Sequence, residues 1–197
     1  MIETILKSLG LLKNKSGKQA QFNLQGQNSE QWLNRAEIAV SFLRSIKFPT
    51  GNKILKIADL GCGDRKIEYY LQKANFNFEY TGYDIMPQRD DIRAINLNEE
   101  LPNQSFDVIF CLGVLEYINN IDIFLGGVRE IAEYLVLSYT VADSGRYKKE
   151  ELQKYGWQHH YRINEIDHIC EKNGFTKKKF MLIDHNRIAL WLLKGVK

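Results

Sequence analysis

Cysteine is scarce in this 197-residue chain. Cys62, Cys111 and Cys170 lie far apart and form no C-x-x-C pair, which excludes a disulfide framework or a zinc site and reads as reduced thiols of a cytoplasmic protein, with no metal expected. No apolar run approaches the roughly 18 residues needed to cross a bilayer, so no membrane span is expected. The opening MIETILKSLGLLKNKSGK is apolar only in short stretches and lacks a small-residue cleavage pattern, so a secretory signal is not expected. Internal repeats and low-complexity segments are missing too. A net charge of +3 is too small to imply nucleic-acid binding, and no recognition domain for nucleic acid is evident. What remains is an ordinary globular composition, 44% hydrophobic and 26% charged, and a length that suits one domain with a sizeable core and a small extension.

The charge is unevenly spread. Residues 1–50 carry seven Lys/Arg against three Asp/Glu, residues 51–144 carry eight against fifteen, and residues 145–197 carry twelve against six. An acidic centre is thus flanked by basic ends. These are either solvated faces or a basic rim that draws in an anionic small molecule.

The first 28 residues look loosely organised. A helix is then expected with Ser29 as N-cap and an apolar face of Trp32, Ala36, Ala39, Val40, Phe42 and Leu43, stopped by Pro49-Thr50-Gly51. Residues 1–50 read as an N-terminal helical extension or lid, and residues 51–197 as the main domain. In that domain strand and helix patterns alternate. Strands are expected at 54–60, 78–83, 92–97, 107–112 and 134–139, with helices at 66–74 and 121–133. A linker then leads to a helix at 163–172, with Asn164 as a candidate N-cap and Asn173-Gly174 as its stop. Two last strands, 178–184 and 187–193, flank His185-Asn186. Near-continuous apolar strands alternating with helices imply an α/β doubly wound sheet, mostly parallel and covered on both faces. The final pair is joined too tightly for a crossover and must be an antiparallel hairpin, giving seven strands in all.

Ligands of such sheets bind beyond the carboxyl ends of the strands, where strand order reverses. The stretch IADLGCGDRKIEYYL, residues 57–71, is the first strand–turn–helix. Gly61 and Gly63 permit close approach of a ligand, and the helix they open leaves free N–H groups for an anionic group. Asp84 ends the second strand, 23 residues after Gly61, where an acid can accept hydrogen bonds from both hydroxyls of a ribose. A dinucleotide fingerprint needs a third glycine, but that place holds Lys66. A pyrophosphate also fits poorly beside Asp59 and Asp64, whereas an ammonium and a sulfonium suit them.

ADLGCG, with its acid before the first glycine, resembles the first motif of class I S-adenosylmethionine-dependent methyltransferases, and YTGYD resembles their second. INLNEELPNQSFDVIFCLGVLEYI is similar to the third and fourth, while YLVLSY and NGF…HNRIALWLL look like the fifth strand and terminal hairpin. The resemblance runs from about residue 54 to 193. It implies the Rossmann-like methyltransferase fold and S-adenosyl-L-methionine as cofactor. Asp59, Gly61, Cys62 and Gly63 would surround its methionine part, Asp84 would hold the ribose, and Ile85 would pack beside the adenine. Asn96 and Leu97 fall at the adenine contact, where Asn96 replaces the usual Asp. Cys111, Leu112 and Gly113 would line the pocket near the transferred methyl. Arg65 stands where most members have glycine, and must either point away from the cofactor or meet its carboxylate. No NPPY-type motif for planar amino groups is present.

The acceptor site is expected from the irregular segments 1–30 and 140–162. GWQHHYR offers His159 or His160 as a general base, Trp157 and Tyr161 to stack on a ring, and Arg162 to meet an anion. Glu116 and Tyr117 face the same side, more as loop-orienting groups. The expected activity is methyl transfer to a small molecule, with oxygen the favoured acceptor on the strength of the histidine pair. The alternative is a non-catalytic protein that binds S-adenosylmethionine or keeps only the fold, as a scaffold or regulator.

Overall fold

A computed structural model describes residues 30–48, 53–145, 147, 151–152 and 155–196. Ser29, the turn at 49–51 and the first 28 residues therefore lie outside the described residues. Helix α1 (Glu30–Ser41) runs into a 3₁₀ turn (Phe42–Ser45). Then follow β1 (Leu55–Leu60), α2 (Lys66–Lys73), β2 (Phe78–Asp84), the two-residue β3 (Arg93–Ala94), β4 (Phe106–Leu112) and α3 (Ile121–Ile131). The chain continues through β5 (Ala132–Thr140), α4 (Ile163–Lys172), β6 (Phe175–Ile183) and β7 (Ile188–Gly195).

The seven strands form one sheet in the order β3-β2-β1-β4-β5-β7-β6. β1 to β5 pair in parallel, whereas β7 runs antiparallel to both β5 and β6. This is the doubly wound, mostly parallel sheet with a terminal antiparallel hairpin that the strand pattern implies. Successive residues of each central strand enter opposite layers. Ala58, Leu60, Ile109, Cys111, Leu135, Leu137 and Trp191 pack with Phe124, Leu125 and Val128 of α3 and Ile166 and Cys170 of α4. Ile57, Val108, Phe110, Val136, Leu190 and Leu192 pack with Ala36, Ala39 and Val40 of α1 and Ile67 and Leu71 of α2. Both faces are covered, which is why the strands read as apolar runs.

Several boundaries differ from the sequence reading. The third strand is short because the chain turns at once after it: the Asn96 carbonyl accepts from the N–H groups of Glu99 and Glu100. α4 is capped by Arg162 rather than Asn164. The Arg162 N–H donates to Glu165 Oε2 at 2.7 Å and the Ile163 N–H to Asp143 Oδ2 at 2.8 Å, so two acids satisfy the helix's free donors. α3 stops at Ile131, and β5 takes over at Ala132.

Candidate active site

Strand order reverses between β1 and β4, and a cavity of about 690 Å³ opens at their carboxyl ends. One wall is the turn after β1. Gly61 has φ +74, and a Cβ there would run into Val114 Cγ2. The turn is tied to β2 by Asp84, whose Oδ2 accepts the Gly63 N–H at 2.9 Å and whose Oδ1 accepts the Met86 N–H at 2.9 Å. Burial raises the Asp84 pKa while these N–H groups oppose the shift. Each carboxylate oxygen keeps a further acceptor site for a hydroxyl.

Asp59, also at the wall, is 3% exposed. Burial pushes its pKa up to about 7, although the Tyr80 hydroxyl donates to its Oδ2 at 2.8 Å. A cation beside it would favour its ionised form. Arg65, the departure from glycine, takes a left-handed backbone (φ 66). Its guanidinium turns outward to ion pairs with Asp91 and Glu68 and lies 5.0 Å from the Tyr80 ring. It takes no part in the cavity wall.

The cavity brings together Asp59, Gly61, Cys62 and Gly63 with Asp84, Ile85, Asn96 and Leu97. Leu112, Gly113 and Trp157 complete the set of anticipated residues found there. The Asn96 side-chain oxygen accepts the Asn98 N–H at 3.2 Å. Five other expected site residues lie elsewhere. Cys111 is fully buried: it pairs with Leu60 across β1–β4, and the strand's alternation sends its side chain into the α3–α4 layer. His159 places Nε2 3.2 Å from the Asn119 carbonyl and stacks on Tyr161 at 5.2 Å. The His160 ring lies 6.3 Å from that of Trp157, beside Tyr147, and burial lowers its pKa. Tyr161 packs against the core and donates its N–H to the Tyr139 hydroxyl. Arg162 stands exposed at the N-cap of α4, outside the cavity wall.

Two side chains missed or undervalued in the sequence stand at the other wall, Arg35 of α1 and Glu116 after β4. Arg35 is 4% exposed and its guanidinium stacks 3.6 Å from the Trp32 ring centroid. Burial lowers its pKa to about 10, and Glu116 counters the shift. Glu116, 2% exposed, accepts the Thr140 N–H on Oε1 at 2.9 Å; burial raises its pKa. A Cβ on Gly113 (φ +70) would come 2.9 Å from Arg35 Nη1, so only glycine lets the guanidinium settle at the end of β4. The sequence did carry a signal: Arg35 follows Trp32 by three and precedes Ala39 by four, placing a cation inside a buried stripe.

With glycine at positions 61 and 63 of the turn and the carboxyls of Asp59 and Asp84 beside it, this wall fits S-adenosylmethionine. A family model described as a methyltransferase domain matches residues 21–179. Among solved structures, the chain is similar to the magnesium protoporphyrin IX methyltransferase ChlM from Synechocystis PCC 6803 with bound SAH. There the TM-score is 0.63 and identity 14%, over 99% of this chain and 98% of that one. It is similar to the N-methyltransferase NodS from Bradyrhizobium japonicum WM9 in complex with S-adenosyl-L-homocysteine (TM-score 0.63, 12% identity, 99% and 98% covered). Against the pyocyanin biosynthetic protein PhzM the TM-score is 0.61 and identity 14%. The match takes in 84% of this chain and 56% of that one, so the chain spans little more than half that protein's length. No curated protein sequence matches significantly.

Proposed function

We propose, because the chain belongs to the methyltransferase-domain family, that its cavity transfers a methyl group to a small-molecule acceptor, with oxygen the favoured acceptor atom. The chain is a class I S-adenosylmethionine-dependent methyltransferase. Bound in the cavity, the cofactor supplies an electrophilic methyl on a sulfonium whose departing thioether is already a good leaving group. The protein's task is then chiefly alignment, worth up to about 7–11 kcal/mol in favourable cases.

A hydroxyl acceptor also needs a base. With both histidines away from the cavity wall, the oxygen reading rests on Glu116, and that buried carboxyl is the observation that carries it. One of its oxygens is held by Thr140, and desolvation raises its proton affinity toward that of a useful base. As the new oxygen–methyl bond forms, the hydroxyl proton passes to Glu116. The N-terminal extension serves as part of the acceptor wall, through Trp32 and Arg35. A cytoplasmic setting accords with three unpaired, buried cysteines. NodS, by its name, methylates nitrogen, and the oxygen reading is drawn from Glu116, not from fold likeness.

The test is incubation with methyl-labelled S-adenosylmethionine and a metabolite extract, followed by NMR of the labelled product. An O-methyl product is expected. An N- or C-methyl product would overturn the oxygen assignment. Failure of well-folded protein to bind either S-adenosylmethionine or S-adenosylhomocysteine would favour a protein that keeps only the fold.

A further inference from the structure

Arg35 Nη2 and Glu116 Oε2 are both buried, both belong to side chains at the cavity wall, and neither has a hydrogen-bond partner among the described residues. Leaving a buried charged donor and a buried charged acceptor unmet is costly, so a molecule that satisfies both is the expected occupant. The other cations at the wall are already engaged. Lys66 pairs with Asp64, and Arg187 lies 3.7 Å from Asp184. Among the described residues Arg35 is the wall cation left without an ion pair. Stacking on Trp32 covers one face of its guanidinium, and the Nη1 bond to Ser138 Oγ is long at 3.5 Å. Nη2 has no acceptor among the described residues, and a planar anion is the ligand that an arginine fork suits. Nearby, Trp157 and Tyr117 line the same cavity, joined by a bond from Trp157 Nε1 to the Tyr117 hydroxyl at 3.2 Å. They place two aromatic rings on that wall.

We infer that the acceptor is an aromatic hydroxy acid, its carboxylate held by Arg35, its ring against Trp157 and Tyr117, and its hydroxyl donating to Glu116. The inference rests on the methyltransferase reading above and names its substrate class. It balances charge, because the acceptor's carboxylate offsets Arg35 while the hydroxyl satisfies Glu116 without adding a second anion beside it.

The test is calorimetric titration of protein saturated with S-adenosylhomocysteine, using the three hydroxybenzoate isomers, benzoate and phenol as probes. At least one hydroxybenzoate is expected to bind about tenfold or more tighter than phenol, the change that one charge-assisted hydrogen bond makes. Benzoate should fall between. In Arg35→Gln the hydroxybenzoate advantage over phenol should vanish while S-adenosylhomocysteine affinity stays. In Glu116→Gln the advantage of hydroxybenzoate over benzoate should shrink while the carboxylate preference remains. Equal binding of all probes by the wild type overturns the inference, whether or not the variants fold. So does an Arg35→Gln loss that falls on S-adenosylhomocysteine instead, since Arg35 would then belong to the cofactor. Should Arg35→Gln not fold, Arg35→Lys keeps the charge without the fork and is expected to lose most of the carboxylate preference; full retention counts against the inference. Absence of S-adenosylhomocysteine binding by the wild type is a separate result and strikes the underlying methyltransferase reading.

Discussion

The Gly63 N–H donates to Asp84 Oδ2 at 2.9 Å. The Gly61 and Cys62 N–H groups also donate, to the Tyr83 carbonyl at 2.8 and 3.0 Å, so three bonds set the turn after β1 and the end of β2 as a unit. Asp84→Ala should remove the proposed ribose acceptor together with one of the turn's ties to β2. Cofactor affinity should fall by about 1–3 kcal/mol, the scale for leaving a buried polar group unmet. Titration with S-adenosylhomocysteine measures it, and unchanged affinity would reject the ribose role.

Cofactor binding is expected to depend on pH through Asp59. Its pKa stands near 7 in the free protein, raised from 3.8 chiefly by burial. An ammonium alongside favours the ionised form and pulls that pKa down. Binding therefore expels a proton below about pH 7, and affinity rises with pH up to that point before levelling off. Calorimetry in buffers of different ionisation enthalpy detects the released proton. Asp59→Asn should abolish the release and weaken binding.

Gly61→Ala faces two obstacles. A left-handed backbone costs a non-glycine residue roughly 1–2 kcal/mol, and the new Cβ meets Val114 Cγ2. Adding Val114→Ala should relieve the collision but not the backbone cost, restoring cofactor affinity in part. Full restoration would mean that the positive φ carries no strain; no restoration would mean that Val114 is not the obstacle.

Much of this arrangement was readable in the sequence. Apolar strand runs announced a sheet covered on both faces, and the glycine turn with a distant acid announced where the cavity opens. What the sequence left unread depended on side-chain direction. Cys111 and Leu112 are neighbours in an apolar run, and only the strand register decides which reaches the cavity. His159 and His160 have the right chemistry on the right segment, yet local partners hold them off the wall. Arg35 lies outside the resemblance altogether, on a helix whose docking brings it to the ends of β4 and β5.

Arg65 supplies a control. Its ion pairs with Asp91 and Glu68 lie outside the cavity, so Arg65→Ala should leave S-adenosylhomocysteine affinity unchanged. A tenfold loss would show that the side chain reaches the cofactor after all.

Glu116 and the histidines are separable by kinetics once an acceptor is in hand. Glu116→Gln should lower turnover by roughly 10²–10⁴-fold, the range for losing a general base. His159→Ala and His160→Ala should each retain most of the rate. The reverse pattern would return the proton-accepting role to the linker.

The placement of β7 sets an order of assembly. β7 lies between β5 and β6, and among the described strands β6 bonds only to β7. During synthesis β6 emerges first, yet it has no edge to join until β7 has followed. The fully buried Trp191 of β7 then closes the sheet and seats both strands together. A ribosome stalled within β7 would hold a nascent chain with its cofactor turn already made and an open edge along β5.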